Sequence, residues 1–210
     1  MKATIKQITQ EIGSLSNPSK MPGHGYSIPA KNCITGGKLS KVKNSICSIC
    51  YAKKGRYGFK NVSDAMEKRL NSLNRSDWVD KIVFLIQKKE KTGFFRWHDS
   101  GDIQGTWHLE KIAEVAKRLP HIKFWLPTRE YAFVMEWMKY SKVPKNLTIR
   151  LSAYMIDGKP PTSLAKKLGL STSGVSENSF NCPASKQDNE CGSCRACWDN
   201  SIENVNYKKH

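Results

Sequence analysis

Apolar and polar positions along this chain change period from one block to the next, and the changes mark its elements. Residues 1–20 predict a short helix ended by a turn at Asn17-Pro18. Residues 21–60 carry no sustained period, and glycines at 23, 25, 36, 37, 55 and 58 with prolines at 22 and 29 break any element. A loop of that length in a compact protein is functional or is held by something. Ser63 predicts the cap of a helix running to about Asn74. Ser76 predicts the cap of a second, with Asp77 and Asp80 in its first turn and Trp78, Val79, Ile82, Val83, Leu85 and Ile86 on its apolar face.

From Gly93 onward the pattern is regular. Phe94–Trp97 reads as a strand, Trp107–Leu119 as a helix stopped by Pro120, and Ile122–Leu126 as a strand. Glu130–Tyr140 reads as a helix, Leu147–Leu151 as a strand, and Thr162–Leu168 as a last short helix. Strand–helix alternation implies right-handed crossovers and a parallel sheet. The units are too few for a closed eight-stranded barrel. The expected fold is therefore α/β, a partial (β/α) barrel or an open parallel sheet, with irregular cysteine-containing N- and C-terminal segments. Residues 1–180 are expected to form the core, including an N-terminal three-cysteine loop, and residues 181–210 a four-cysteine segment.

In parallel sheets, ligands gather at the carboxyl ends of the strands. Those ends are polar here: His98-Asp99-Ser100-Gly101-Asp102, then Thr128-Arg129-Glu130, then Ser152, Tyr154 and Asp157. A binding site there would draw on Asp99, Asp102, Arg129 and Glu130 for catalysis and on His98, Ser100 and Gly101 for cofactor binding. The plainer alternative is that these are solvated turns and that Asp102 or Thr106 caps the next helix.

The seven cysteines change the picture most. Cys33, Cys47 and Cys50 form one group, and Cys182, Cys191, Cys194 and Cys197 the other. An odd total fits paired disulfides poorly, and tight Cys-x2-Cys spacing lets one backbone loop present several thiolates to a metal centre. The run Cys191-x2-Cys194-x2-Cys197 has the spacing with which ferredoxins seat a [4Fe–4S] cube, and Pro183 follows Cys182 as in such sites. Zinc sites more often split their ligands into separated Cys-x2-Cys knuckles, and zinc is the alternative metal. Three thiolates at the N-terminal group would leave one iron of a cube open, the site at which radical SAM enzymes bind S-adenosylmethionine. A zinc or structural site completed by His24 or another side chain is the competing reading there.

Composition narrows the partners. Thirty-five Lys and Arg against 18 Asp and Glu give a net charge of +17, a prior for nucleic acid or another anionic ligand. Lys38, Lys41, Lys43, Lys53, Lys54, Arg56 and Lys60 surround the first cysteine group, interleaved with Tyr51, Tyr57 and Phe59. No apolar run reaches membrane-spanning length, and the first residues lack a signal-peptide core. A cytoplasmic location with reduced thiols is the expectation.

The blocks CSICYAKKGRY, RWHDSGDIQ, FWLPTRE and NCPA…CGSCRACW, in that order over roughly residues 20–200, resemble the phage and mobile-element gene product 88 family. The resemblance implies a phage-encoded protein acting in the host cytoplasm, with an unknown host partner. More distantly, the chain is similar to a truncated radical SAM core, with an auxiliary cysteine cluster at its C-terminus. In that comparison Ser100-Gly101-Asp102 stands at the Gly-Gly-Glu-like loop that holds the amine of S-adenosylmethionine. Two departures are the Asp in place of Glu and the C-x13-C-x2-C spacing in place of C-x3-C-x2-C. The leading expectation is an iron–sulfur protein with two [4Fe–4S] clusters, radical SAM-like at the three-cysteine site. The rivals are a non-catalytic basic nucleic-acid-binding protein and a zinc-stapled interaction module.

Overall fold

The computed structural model describes residues 4–209. Six strands form one sheet: β1 (His24–Tyr26), β2 (Phe94–Trp97), β3 (Lys123–Thr128), β4 (Leu147–Ser152), β5 (Ser171–Ser176) and β6 (Asn204–Lys208). They lie in the order in which they occur in the chain, every neighbouring pair is parallel, and β1 and β6 remain as open edges. The α/β expectation holds, with an open sheet rather than a closed barrel.

Seven helices accompany the strands: α1 (Ile5–Ile12), α2 (Ile34–Leu39), α3 (Lys60–Ser72), α4 (Trp78–Lys89), α5 (Thr106–Arg118), α6 (Tyr131–Trp137) and α7 (Thr162–Leu168). Crossovers of one hand between strands laid down in sequence place their helices on one face of the sheet. The main core accordingly joins Phe95, Trp97, Phe124, Leu126, Leu147, Ile149 and Leu151 of β2, β3 and β4 to the apolar stripes of α1, α4, α5 and α6. Phe95 is fully buried there, a burial worth about 2–3 kcal/mol by itself.

The alternate positions of the same strands face the other way. Phe94, Arg96, Trp125, Thr148 and Arg150 line this second face, and the segment carrying Cys182 to Trp198 covers it. Trp125, Trp198, Cys197 and Val205 make a small second core there, with Phe94 and Tyr207 packed against it. The segment then returns to the sheet as β6, so residues 181–209 supply both the cover and one edge strand. Every residue of β4 is buried, since its two faces are both covered.

The expected elements from Phe94 to Leu168 are all present, with shifted ends. The helix expected over 130–140 stops at Trp137. The helix expected from Ser63 starts at Lys60, after Phe59, which offers no side-chain cap. Three strands went unpredicted: β1 is only three residues long, β5 is the polar run STSGVS, and β6 lies beyond the second cysteine group. Of the helix expected within 1–20, residues 1–3 lie outside the described part.

Candidate metal and ligand site

The three-cysteine loop leaves the carboxyl end of β1 and runs across the ends of β2, β3 and β4. Each crossing is pinned. At β2, the Tyr57 hydroxyl donates to Asp99 Oδ2 at 2.8 Å, and the Ile28 amide donates to the Ser100 carbonyl at 3.1 Å. At β3, Glu130 accepts from the Thr35 amide at 2.7 Å and from the Thr35 hydroxyl at 2.6 Å. At β4, the Ile46 amide donates to the Tyr154 carbonyl at 2.9 Å, and Ser45 bridges Met155.

Cys33, Cys47 and Cys50 are all partly exposed within this loop. Gly36 stands between two of them. A Cβ placed there would lie 3.0 Å from Cys33 Cβ, 3.4 Å from Cys47 Sγ and 3.7 Å from Cys33 Sγ. Burial pushes the Cys33 thiol up, helped by the Asp102 carboxylate and by the two other cysteines. Burial also raises Cys47, against the lowering effect of the Arg129 guanidinium beside it. His24, weighed as a further ligand, instead places Nδ1 2.9 Å from the buried Glu90 carboxylate.

The residues predicted at the strand ends do gather around this loop, in distinct roles. Asp102 is buried, and its oxygens accept from the Thr128 hydroxyl at 2.6 Å, the Ile103 amide at 2.8 Å and the Arg129 amide at 2.9 Å. It therefore ties the end of β2 to the end of β3 rather than capping α5, whose N-cap is Gly105. Burial raises its pKa to about 6, against those three hydrogen bonds. Glu130 is spent on Thr35, two residues past Cys33. Glu130 positions the loop, and Asp102 joins the two strand ends beneath it.

Arg129 is different. Its Nε donates to the Ala153 carbonyl at 2.9 Å, and among the described residues its two terminal nitrogens make no hydrogen bond or ion pair. Gly101, at φ +84°, lies so close to Ile28 that a Cβ would meet Ile28 Cγ1 at 2.3 Å. Only glycine lets this loop rest on the first residues after β1. His98, in the left-handed region at φ +56°, is buried with both ring nitrogens unpartnered among the described residues. The buried Ser100 hydroxyl and Asp99 Oδ1 are also unpartnered. Burial, then the Arg96 charge, lowers the His98 pKa to about 3, so the ring is a neutral donor and acceptor.

The second cysteine group lies on the covered face of the sheet. Cys182, Cys191, Cys194 and Cys197 together line one cavity of about 240 Å³, walled by Pro183, Trp198, Ile202 and Val205. Cys197 Sγ lies 3.2 Å from the Tyr207 hydroxyl, and burial raises its pKa to about 11. Burial raises the Cys182 and Cys191 thiols as well. Among the described residues no three His, Cys, Asp or Glu side chains converge closely enough to chelate a single ion.

Two arginines absent from the predicted set organise this side. Arg150 is fully buried, and all five of its guanidinium N–H groups reach backbone carbonyls: Cys197, Thr172, Ile202, Ala196 and Asp199, at 2.6–3.2 Å. Arg96 stacks 4.5 Å above the Trp125 ring, and its Nη2 lies 3.4 Å from the hydroxyl of Tyr51, the residue after Cys50. Its charge also lowers Cys191 and Cys197. Arg96 thus stands between the two cysteine groups. The signal for both was in the sequence: a single arginine in each of the apolar strands FFRW and LTIRLS, at the alternate phase.

No helix among the described residues is long and apolar enough to cross a membrane. No curated protein and no solved structure matches the chain. The resemblance carried by the four sequence blocks does extend over almost the whole chain: the model of the family described as Gene product 88 matches residues 2–200, and the chain belongs to that family.

Proposed function

We propose that this protein binds two [4Fe–4S] clusters, one closed by Cys182, Cys191, Cys194 and Cys197, the other held by Cys33, Cys47 and Cys50 with one iron open to a small ligand. The observation that carries the reading is the 240 Å³ cavity with all four C-terminal thiols on its wall. A cube spreads its thiolates over four irons and so needs a chamber rather than a point. The thiols fit that group in charge as well. Arg150 binds carbonyls of the lining residues Ala196, Cys197 and Ile202, and the Arg96 charge acts on Cys191 and Cys197. Among the described residues neither guanidinium makes an ion pair, Asp99 and Asp199 acting on them only through space. A buried cation needs a counter-charge, and thiolates bound to a cluster supply one.

At the three-cysteine site, Gly36 keeps a gap between Cys33 and Cys47 that any side chain would fill. The sulfurs there face the strand ends of β2 and β3, where Arg129 offers two free guanidinium nitrogens. A planar fork of that kind suits a carboxylate. His98 and Ser100 offer unpartnered polar atoms at the same strand ends. A reduced cluster with an open iron would supply an electron to a sulfonium ligand, which makes S-adenosylmethionine the first small molecule to test. Glu130 holds the loop through Thr35, and Asp102 holds the ends of β2 and β3 together, so both carboxylates serve to position the site.

The test is iron, sulfide and zinc content with an optical spectrum, on protein purified without oxygen. About eight irons per chain and a brown colour support both centres, and about four leave only one. Zinc without iron in a colourless sample overturns the proposal in favour of stapling zinc sites. Calorimetry with S-adenosylmethionine on the iron-loaded protein, alongside Arg129→Ala, then tests the open iron separately.

A further inference from the structure

Between Cys33 and Ser63 the chain carries seven cations, Lys38, Lys41, Lys43, Lys53, Lys54, Arg56 and Lys60, and no carboxylate. All seven side chains are exposed. Lys60 pairs with Asp64 at 2.7 Å; among the described residues the other six have no acidic partner. Carboxylates that touch this loop or its flanks are engaged elsewhere: Glu67 with Lys31, Asp99 Oδ2 with the Tyr57 hydroxyl, and Glu130 with Thr35. The loop is not a free arm, since its pins to Asp99, Glu130 and Tyr154 fix these charges in one surface over the strand ends.

Two large aromatic side chains break that surface. Tyr51 is 51% exposed and Phe59 is 60% exposed, one on each side of Lys53, Lys54 and Arg56. Tyr51 is anchored by Tyr57, 5.8 Å away between ring centroids, and by its hydroxyl bond to the Asp99 carbonyl, yet the exposed part of each ring beside unpaired cations adds nothing to the core. It does suit a chain whose backbone is anionic and whose bases are flat and unstacked. A duplex hides its base faces and would leave both rings idle.

We propose that the surface of the three-cysteine loop binds single-stranded nucleic acid, phosphates on Lys38, Lys41, Lys43, Lys53, Lys54 and Arg56, and bases against Tyr51 and Phe59. The strand then passes over Cys50, the residue before Tyr51. This rests on the preceding reading only in naming the macromolecule brought to that centre; strand binding itself does not require a cluster.

The test is fluorescence anisotropy with labelled single-stranded DNA and RNA oligonucleotides and a matched duplex, on the full chain with its metal content measured in each sample. The expected result is binding to single strands that weakens steeply between about 50 and 200 mM salt. Lys53→Gln/Lys54→Gln/Arg56→Gln should weaken binding at least about tenfold and make the log–log salt slope about 2 shallower, near 0.7 per lost phosphate contact. Phe59→Ala should weaken binding at an unchanged salt slope, because stacking releases no counterions. Lys142→Gln/Lys145→Gln, two exposed lysines just before β4 at the opposite end of the sheet, should bind like the parent. The relative affinity of DNA and RNA identifies the physiological strand. Equal losses in the loop and control variants, a duplex bound as tightly as single strands, or no binding at low salt would each overturn the proposal. Protein purified without oxygen that holds no iron yet binds strands as described would instead sink the cluster reading alone.

Discussion

The Arg150 guanidinium donates through Nε to the Cys197 carbonyl at 3.2 Å, 47 residues away in sequence, and its other four N–H groups reach four more carbonyls of β5 and the C-terminal segment. One side chain on β4 therefore clamps the four-cysteine segment onto the sheet. Arg150→Met would keep the volume and take this donor from five carbonyls, those of Cys197 and Thr172 at buried contacts and the other three at part-buried ones. The expected cost is about 3–5 kcal/mol, a Tm lower by roughly 6–20 °C. Metal analysis should show the C-terminal centre lost and the N-terminal one kept. Arg150→Lys, with three donors on a point charge, should recover only part of the loss.

Glu130 acts on the three-cysteine loop in a parallel way. Its carboxylate takes both polar groups of Thr35, across 95 residues of sequence. In Glu130→Gln the amide oxygen can keep the Thr35 N–H while its NH2 donates to the Thr35 hydroxyl, so two charge-assisted bonds become neutral ones and the expected loss is about 1 kcal/mol. Thermal melting reads the stability, and iron content should fall only at the three-cysteine site. Thr35→Val should reproduce the effect through loss of the hydroxyl.

Gly36→Ala separates the fold from the proposed metal site. Gly36 lies in α2, where alanine is the better helix former by about 1 kcal/mol. Its added methyl would intrude between Cys33 and Cys47. Unchanged or slightly higher Tm together with lower iron occupancy is the expected pair of results. Full occupancy would show that no group occupies that gap.

His98 makes acid stability measurable. Its pKa falls from 6.5 in the unfolded chain to about 3 in the fold. Below 6.5 the unfolded chain takes up a proton that the folded one refuses, so this stabilisation is present above pH 6.5 and is lost as pH falls toward 3, at up to about 1.4 kcal/mol per pH unit. His98→Asn suits the positive φ and removes the titration. The difference in stability between parent and variant should shrink steadily from pH 7 to pH 4 in urea melts. Asp102 pulls the opposite way in that range, since its raised pKa gives stability that is present below about 4 and lost as pH rises through about 6. It is common to both proteins and cancels in the difference.

The strand–helix alternation from Phe94 to Leu168 was legible in the sequence, because apolar period is a local property that each element carries in its own residues. The cysteine spacing and the carboxylate-free basic run were legible for the same reason. So was the gathering of His98, Asp99, Asp102, Arg129 and Glu130, since parallel strands laid down in order must bring their carboxyl ends together. What each residue does there was decided only by tertiary structure. Asp102 and Glu130 look like catalytic carboxylates in the sequence, yet their partners lie 26 and 95 residues away and consume their oxygens. β5 was hidden because STSGVS has no apolar face; it is a strand because β4, β6 and the covering segment satisfy its polar groups. Arg150 and Arg96 stood out locally, each the single arginine of an apolar strand, but nothing local told what they would bind. A charge inside an apolar strand has meaning only once the segment that buries it arrives, and that arrival is a long-range event no local pattern encodes.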